Sequence, residues 1–113
     1  VERSRGLGDV YKRQGLIFAL REESAFRQEI FLVIISLSVI IIAEVSAIEI
    51  IFMTFATSLV LIIELLNSSV EAAVDRISFE YHGLSKRAKD YGSAAVMLSL
   101  FLWTLIHGLV LFN

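Results

Sequence analysis

The 113-residue chain has no cysteine and no proline. The absence of cysteine excludes disulfides, thiolate metal sites and cysteine nucleophiles, and the absence of proline means that no helix has a proline kink. Charged residues are also scarce, at 19% of the chain, whereas 57% of the residues are hydrophobic. Too little polar sequence remains to coat a soluble domain. The composition therefore indicates a protein whose natural solvent is a lipid bilayer.

Three apolar runs are candidates for membrane spans. Residues 94–112 form 19 positions without a formal charge, which at about 1.5 Å per residue cross a hydrocarbon core of ~30 Å. Residues 30–43 and 50–63 each hold 14 uncharged positions, and both runs can extend helically into their flanks. We predict an all-α integral membrane fold, with a short N-terminal amphipathic surface helix followed by three transmembrane helices. The predicted spans cover about 28–46, 48–78 and 86–112.

The basic residues are distributed unevenly around these spans. Six precede the first span, four lie within 76–89, and none lies in the 44–49 connector. Because Lys and Arg are retained on the cytoplasmic side, we predict that the N-terminus and the 76–89 loop are cytoplasmic. The connector and the C-terminus are then on the opposite side. Since topology accounts for the basic residues, we expect no nucleic-acid partner.

The first fourteen residues differ in character from the rest of the chain. Residues 1–14 are polar and lack periodicity, and we interpret them as a poorly matching segment that is foreign or disordered. Residues 15–113 are interpreted as a single membrane domain. Within it, Leu16, Ile17 and Leu20 line one side of a short helix suited to the membrane interface. Three spans alone make a thin bundle, so we expect a homo-oligomer.

A stripe of polar residues follows the second apolar run. On a helix, residues at offsets 0, 3, 4, 7 and 11 share one face, and here those positions are Glu64, Asn67, Ser68, Glu71 and Asp75. Carboxylates near lipid usually face a protein interior or a water-filled site. Glutamates are also hard oxygen ligands suited to Mg²⁺. The stripe therefore predicts half of a phosphate-handling metal site, although Glu64 paired with Arg76 at the interface is the simpler alternative.

Two other groups of charges flank the spans. Glu22 and Glu23 precede the first span and are placed to supply the other half of a metal site, although such acids are more often solvated. Lys86, Arg87 and Lys89 fall in the first turn of the third span if Ser85 caps it, where cations are unfavourable unless an anion is near. This placement suits a bound phosphate, and the positive-inside rule with lipid phosphate contacts is the alternative. His82 and His107 have no ligand-spaced partner and are interpreted as structural.

Three segments hold candidate site residues: Glu-Ser-Ala-Phe-Arg-Gln-Glu at 23–29, Glu-Leu-Leu-Asn-Ser-Ser-Val-Glu-Ala-Ala-Val-Asp-Arg-Ile at 64–77, and Lys-Asp-Tyr-Gly-Ser-Ala-Ala at 89–95. Together they resemble the prokaryotic diacylglycerol kinase family. The resemblance runs from about Gly15 to the end of the chain. It implies a homotrimeric enzyme of the bacterial cytoplasmic (inner) membrane, with active sites between subunits at the cytoplasmic boundary. Such an enzyme transfers the γ-phosphoryl group of MgATP to diacylglycerol, giving phosphatidic acid.

The resemblance also implies roles for individual residues. Glu64 would be the general base and Asn67 would orient the polar face around it, while Glu23 and Glu71 would hold Mg²⁺. The implied nucleotide-binding residues are Tyr11, Glu23, Glu71, Glu80, Tyr81, His82, Lys89 and Asp90. The implied lipid-binding residues are Phe26, Arg27, Gln28, Glu64 and Ser93.

Two alternatives stay open at this point. Some members of the family prefer undecaprenol, and the sequence does not measure the width of the lipid groove. In a different functional class, the chain is a non-enzymatic oligomeric membrane subunit whose acidic stripe binds cations. The sequence departs from the family pattern in residues 1–14, which leaves the role of Tyr11 the least supported.

Overall fold

The computed structural model describes residues 2–77 and 83–113, with side chains from Gly6 onward, and these residues form four helices without a β-strand. The helices are α1 (Glu2–Glu22), α2 (Ser24–Ile42), α3 (Ala47–Ile77) and α4 (Gly83–Phe112). Helices α2, α3 and α4 are each long and apolar enough to cross a membrane. The predicted all-α membrane fold with three spanning helices is thus confirmed.

Helix α1 begins at Glu2, so it is longer than the surface helix predicted from Gly15. It ends where Glu23 adopts an extended backbone, with φ −99° and ψ 103°. The Arg27 guanidinium then reaches back along the chain, and its Nη1 donates to the backbone oxygens of Arg21 at 2.6 Å and Leu20 at 3.3 Å. Carbonyls in the last turn of a helix lack partners within the helix. Arg27 therefore stabilises the bend between α1 and α2.

The connection between α2 and α3, residues 43–46, is longer than the predicted span limits suggest. Helix α2 ends at Ile42, where Ala43 turns to an extended conformation, and α3 begins at Ala47 behind a capping box. The Glu49 N–H donates to Ser46 Oγ at 3.2 Å, and the Ser46 N–H donates to Glu49 Oε1 at 2.9 Å. This reciprocal pair satisfies two donors at the start of α3 and fixes the point at which the chain re-enters the bundle.

The helices pack around a small apolar core. Helix α4 packs mainly on α3, and α2 also packs on α3. The buried core consists of Ala56, Val60 and Trp103, with Leu32, Leu100 and Ile106 against it. Most of the remaining apolar surface is exposed, with only 17–28% of each apolar span buried within the chain. A single chain therefore leaves wide apolar faces for lipid or for other copies.

Neutral hydrogen bonds join the three spanning helices at the end of the bundle that holds the start of α3. Trp103 Nε1 donates to Thr57 Oγ1 at 2.9 Å, and Thr57 Oγ1 donates to the Met53 carbonyl at 2.8 Å. Nearby, Ser36 Oγ lies 2.8 Å from His107 Nε2, and His107 Nδ1 lies 2.8 Å from the Trp103 carbonyl. Because that carbonyl can only accept, Nδ1 carries the proton and a neutral Nε2 accepts from Ser36. These contacts agree with the structural interpretation of His107.

Candidate active site

Glu64 lies inside the bundle although α3 is an apolar helix. Its side chain is 5% exposed, and Asn67, three residues further on the same face, is 9% exposed. Asn67 Nδ2 donates to Glu71 Oε1 at 3.4 Å. Further along the stripe Glu71 is half-buried and Asp75 is exposed. The stripe predicted from the sequence thus runs from the interior of the bundle at Glu64 to its surface at Asp75.

A second buried carboxylate, Glu29 on α2, meets Glu64. Glu29 is 8% exposed, and its carboxyl group lies close to the Glu64 carboxyl group. Its Oε2 atom is buried and has no hydrogen-bond partner among the described residues. Glu29 was not among the residues predicted from the sequence to form the site. A glutamate at the edge of the first apolar run nevertheless carries the same cost near lipid as Glu64, and this cost is the signal that indicates it.

The acidic groups predicted to act together are close in space. Glu64 lies within electrostatic reach of Glu71, on its own helix, and of Glu23, at the bend between α1 and α2. The structure therefore brings four carboxylates, those of Glu23, Glu29, Glu64 and Glu71, to one end of the bundle. Four like charges this close are mutually destabilising unless cations or protons compensate them. This arrangement suits a site that receives a cation together with its ligand.

The beginning of α4 brings basic residues to the same end. Lys89 Nζ lies 2.5 Å from Asp75 Oδ1 and is also within electrostatic reach of Glu71. Asp90 pairs instead with Lys86, at 2.6 Å between Oδ2 and Nζ. Of the predicted nucleotide contacts on α4, Lys89 thus adjoins the acidic stripe directly, while Asp90 is exposed and joined to Lys86.

Two grooves lie on the surfaces around this end of the bundle. The first, of about 630 Å³, runs between α1 and α3 and is lined by Tyr11, Glu23, Ser68 and Ser69 among others. Tyr11, predicted to contact the nucleotide, therefore shares a groove with a predicted metal ligand.

The second groove, of about 480 Å³, is mainly apolar and lies at the bend between α1 and α2. Its lining includes Arg27, Gln28 and Phe31, the first two of which were predicted to contact lipid. Phe26, also predicted to contact lipid, is instead buried at 4% exposure, and Ser93 is exposed on α4. Glu80, Tyr81 and His82 lie outside the described residues.

The donors at this end fit a magnesium ion that arrives with phosphate. Within residues 2–77 and 83–113, no group of three or more His, Asp or Glu side chains is arranged to hold a metal ion. Mg²⁺ in nucleotide sites typically takes only one or two protein carboxylates and completes its shell with water and phosphate oxygens. Glu23 and Glu71 can supply that number, and both are hard oxygen donors.

Comparisons with known proteins point to one family. The family model described as prokaryotic diacylglycerol kinase matches residues 10–111. A diacylglycerol kinase of Haemophilus influenzae is 46% identical over 102 residues, which cover 90% of this chain and 86% of the relative. The diacylglycerol kinase of Escherichia coli K12 is 46% identical over 90 residues, covering 80% and 74% of the two chains. That of Pseudomonas aeruginosa is 44% identical over 101 residues, covering 89% and 82%.

Proposed function

We propose that this chain, which belongs to the prokaryotic diacylglycerol kinase family, transfers the γ-phosphoryl group of MgATP to the hydroxyl group of diacylglycerol and so forms phosphatidic acid. The observation that carries the proposal is the burial of Glu64 beside Asn67, at the point where an apolar helix becomes polar. A buried carboxylate there is within reach of an alcohol whose acyl chains stay in the membrane. The relatives named diacylglycerol kinase support the same substrate class.

Glu64 is the group placed to accept the proton of the lipid hydroxyl. As the hydroxyl oxygen attacks the γ-phosphorus, its O–H bond breaks and the proton passes to a Glu64 carboxylate oxygen, while the bond between the γ-phosphorus and the bridging oxygen of ADP breaks. Burial excludes bulk water, which would otherwise compete as the acceptor of the phosphoryl group. The burial of Glu64 therefore favours transfer of the phosphoryl group to lipid over hydrolysis of ATP.

The remaining polar residues hold and neutralise the nucleotide. Glu23 and Glu71 are proposed to hold Mg²⁺, which when bound offsets the negative charge of the phosphates. Asn67 orients Glu71 through the bond from its Nδ2 to Oε1. Lys89, which adjoins both Asp75 and Glu71, adds a positive charge beside the phosphates. Positioning and charge neutralisation of this kind supply most of the catalysis in phosphoryl transfer.

The assembly is proposed to be a homotrimer in the bacterial cytoplasmic membrane, with the site at the cytoplasmic boundary and between subunits. The wide apolar faces left by one chain support an oligomer. The concentration of basic residues in α1, in the last turn of α3 and in the first turns of α4 supports a cytoplasmic location for this end.

The assignment of roles is tested by comparing two isosteric substitutions in the full chain. Glu64→Gln is expected to lower kcat by at least the 10²-fold that a positioned base contributes, with MgATP affinity unchanged. Glu71→Gln is expected to weaken Mg²⁺-dependent nucleotide binding. Glu44→Gln, an exposed change in the connector between α2 and α3, serves as the control and should leave both quantities unchanged.

The measurements are initial rates in mixed micelles, with diacylglycerol and undecaprenol as parallel acceptors, and nucleotide titrations of the same samples. Equal loss of nucleotide affinity in the Glu64 and Glu71 variants would contradict the division of roles. If the folded wild-type oligomer phosphorylates neither lipid, the proposed activity is wrong. If it prefers undecaprenol, only the substrate is revised.

A further inference from the structure

Helix α4 passes very close to Asn67 at Gly92. A Cβ atom built on Gly92 would lie 2.1 Å from Asn67 Oδ1, 3.2 Å from Asn67 Cγ and 3.8 Å from Asn67 Cβ. Protein atoms that are not bonded rarely approach carbon within 3 Å, so any side chain here would displace the Asn67 amide. Because Gly92 has no side chain, the backbone of α4 can lie close to Asn67 on α3.

Gly92 is distinct from the other glycines of the chain. All six lie in the described residues, and at Gly6, Gly8, Gly15, Gly83 and Gly108 an added Cβ would meet nothing within 4 Å. Gly92 has no positive φ, so backbone conformation does not require glycine there. In the interior of a helix, glycine is less favourable than alanine. The close approach to Asn67 is therefore the physical reason that glycine fits this position.

Packing against Gly92 determines where the Asn67 amide sits. Its Oδ1 is buried without a hydrogen-bond partner in residues 2–77 and 83–113, so no bond from these residues to that oxygen holds the group in place. Its Nδ2 makes a long bond of 3.4 Å to Glu71 Oε1. Because Cγ would also lie only 3.2 Å from an added Cβ, rotation of the amide plane removes the overlap with Oδ1 but leaves a tight contact. The carboxamide would have to shift by a few tenths of an ångström as well as rotate, which disturbs a bond to Glu71 that is already 3.4 Å long.

We propose that Gly92 is a positioning residue for the phosphoryl-transfer site, because its missing side chain lets the Asn67 amide pack on α4 and orient Glu71. This inference rests on the proposed function, in which Glu71 holds the metal ion of the nucleotide. Gly92 itself contacts neither substrate. Its effect passes through Asn67 to Glu71 and so to the binding of Mg²⁺ with nucleotide.

The test is a double-mutant cycle between Gly92→Ala and Asn67→Ala, with Gly108→Ala on the same helix as the matched control. Gly92→Ala is expected to raise the KM for MgATP and its dissociation constant at least fivefold, with a smaller change in kcat. Gly108→Ala should leave all three unchanged. In the double variant the two Cβ atoms would be 3.8 Å apart, an ordinary contact. The double variant should therefore bind MgATP no more weakly than Asn67→Ala alone.

Each outcome of the cycle decides the proposal. Unchanged MgATP affinity in Gly92→Ala, or losses that add in the double variant, would overturn it. If Gly92→Ala fails to fold, the double variant should recover a folded oligomer in size-exclusion chromatography; failure to recover would show that Gly92 serves helix packing and not Asn67. Nucleotide titration does not require turnover. A wild-type protein that binds MgATP but phosphorylates no lipid would therefore contradict the proposed activity, while the role of Gly92 in MgATP binding could still be tested.

Discussion

The hydrogen bond between Trp103 and Thr57 allows a prediction about protein stability that does not depend on the proposed phosphoryl transfer. Thr57→Val replaces the hydroxyl group with a methyl group of nearly the same size, so packing is kept while the acceptor of Trp103 Nε1 is lost. Thr57 is 7% exposed and Trp103 is 8% exposed. The indole N–H therefore has no access to water that would replace the lost acceptor.

The size of the effect follows from that burial. Leaving a buried donor without a partner costs about 1–3 kcal/mol in water-soluble proteins, whereas hydrogen bonds between membrane helices average about 0.6 kcal/mol in double-mutant cycles. We therefore expect Thr57→Val to lower the free energy of unfolding by about 1 kcal/mol. Trp103→Phe should cost more, since it also removes buried apolar area. The coupling energy between the two changes should be about 0.6 kcal/mol.

Thr104→Val is the matched control for this cycle. Thr104 is exposed on α4, and its hydroxyl donates to the Leu100 carbonyl at 2.9 Å, just as Thr57 donates to Met53, but it has no interhelical bond. Unfolding is followed by far-ultraviolet circular dichroism in mixed micelles with rising SDS fraction, at one protein concentration because assembly contributes to stability. If Thr57→Val destabilises no more than Thr104→Val, or if the coupling energy is zero, the interhelical bond does not stabilise the fold.

Two further predictions concern the acidic end of the bundle. Glu29→Gln should lower kcat roughly tenfold, which is less than the 10²–10⁴-fold contributed by proton transfer itself. The KM for MgATP should stay within twofold, because Glu29 contacts Glu64 and not the residues proposed to bind nucleotide. A change in KM alone would contradict this prediction. Lys89→Ala should raise the KM for MgATP about tenfold but leave stability almost unchanged, because its pair with Asp75 is largely solvent-exposed and screened. Initial rates and SDS unfolding of the same preparations check both.

The spanning helices were predictable because their composition alone specifies them. A charge-free run such as 94–112 can satisfy its backbone in lipid only as a helix, and α4 contains it. The positions of the helix ends were harder to predict from the sequence. The helical conformation is interrupted at Glu23, between α1 and α2, without glycine, proline or a side-chain cap. Helix α2 likewise ends at Ile42 without any of the usual stop signals. At the first break, Arg27 bonds to backbone oxygens six and seven residues earlier, a side-chain contact across the bend that none of these signals encodes.

The site was predictable along one helix but not between helices. Helical spacing placed Glu64, Asn67 and Glu71 on one face because periodicity depends only on the sequence of α3. Whether Glu29 turns toward Glu64 depends on how α2 packs on α3, and the approach of Gly92 to Asn67 joins residues 25 positions apart. Such contacts are set by side-chain packing across the whole bundle, for which a single sequence gives no register.

The two halves of the bundle differ in how completely their buried polar groups are satisfied, and this difference supports the proposed location of the site. Around Thr57 and His107 the hydrogen bonds within the described residues join neutral partners. In the other half, about 10 Å along α3 at 1.5 Å per residue, the buried side-chain atoms without a partner in the described part of the chain are Glu29 Oε2 and Asn67 Oδ1. Unsatisfied polar groups are costly in a membrane protein. They persist where the fold is held together elsewhere and where a ligand or a proton supplies the missing partner, as the proposed phosphoryl transfer at Glu64 would.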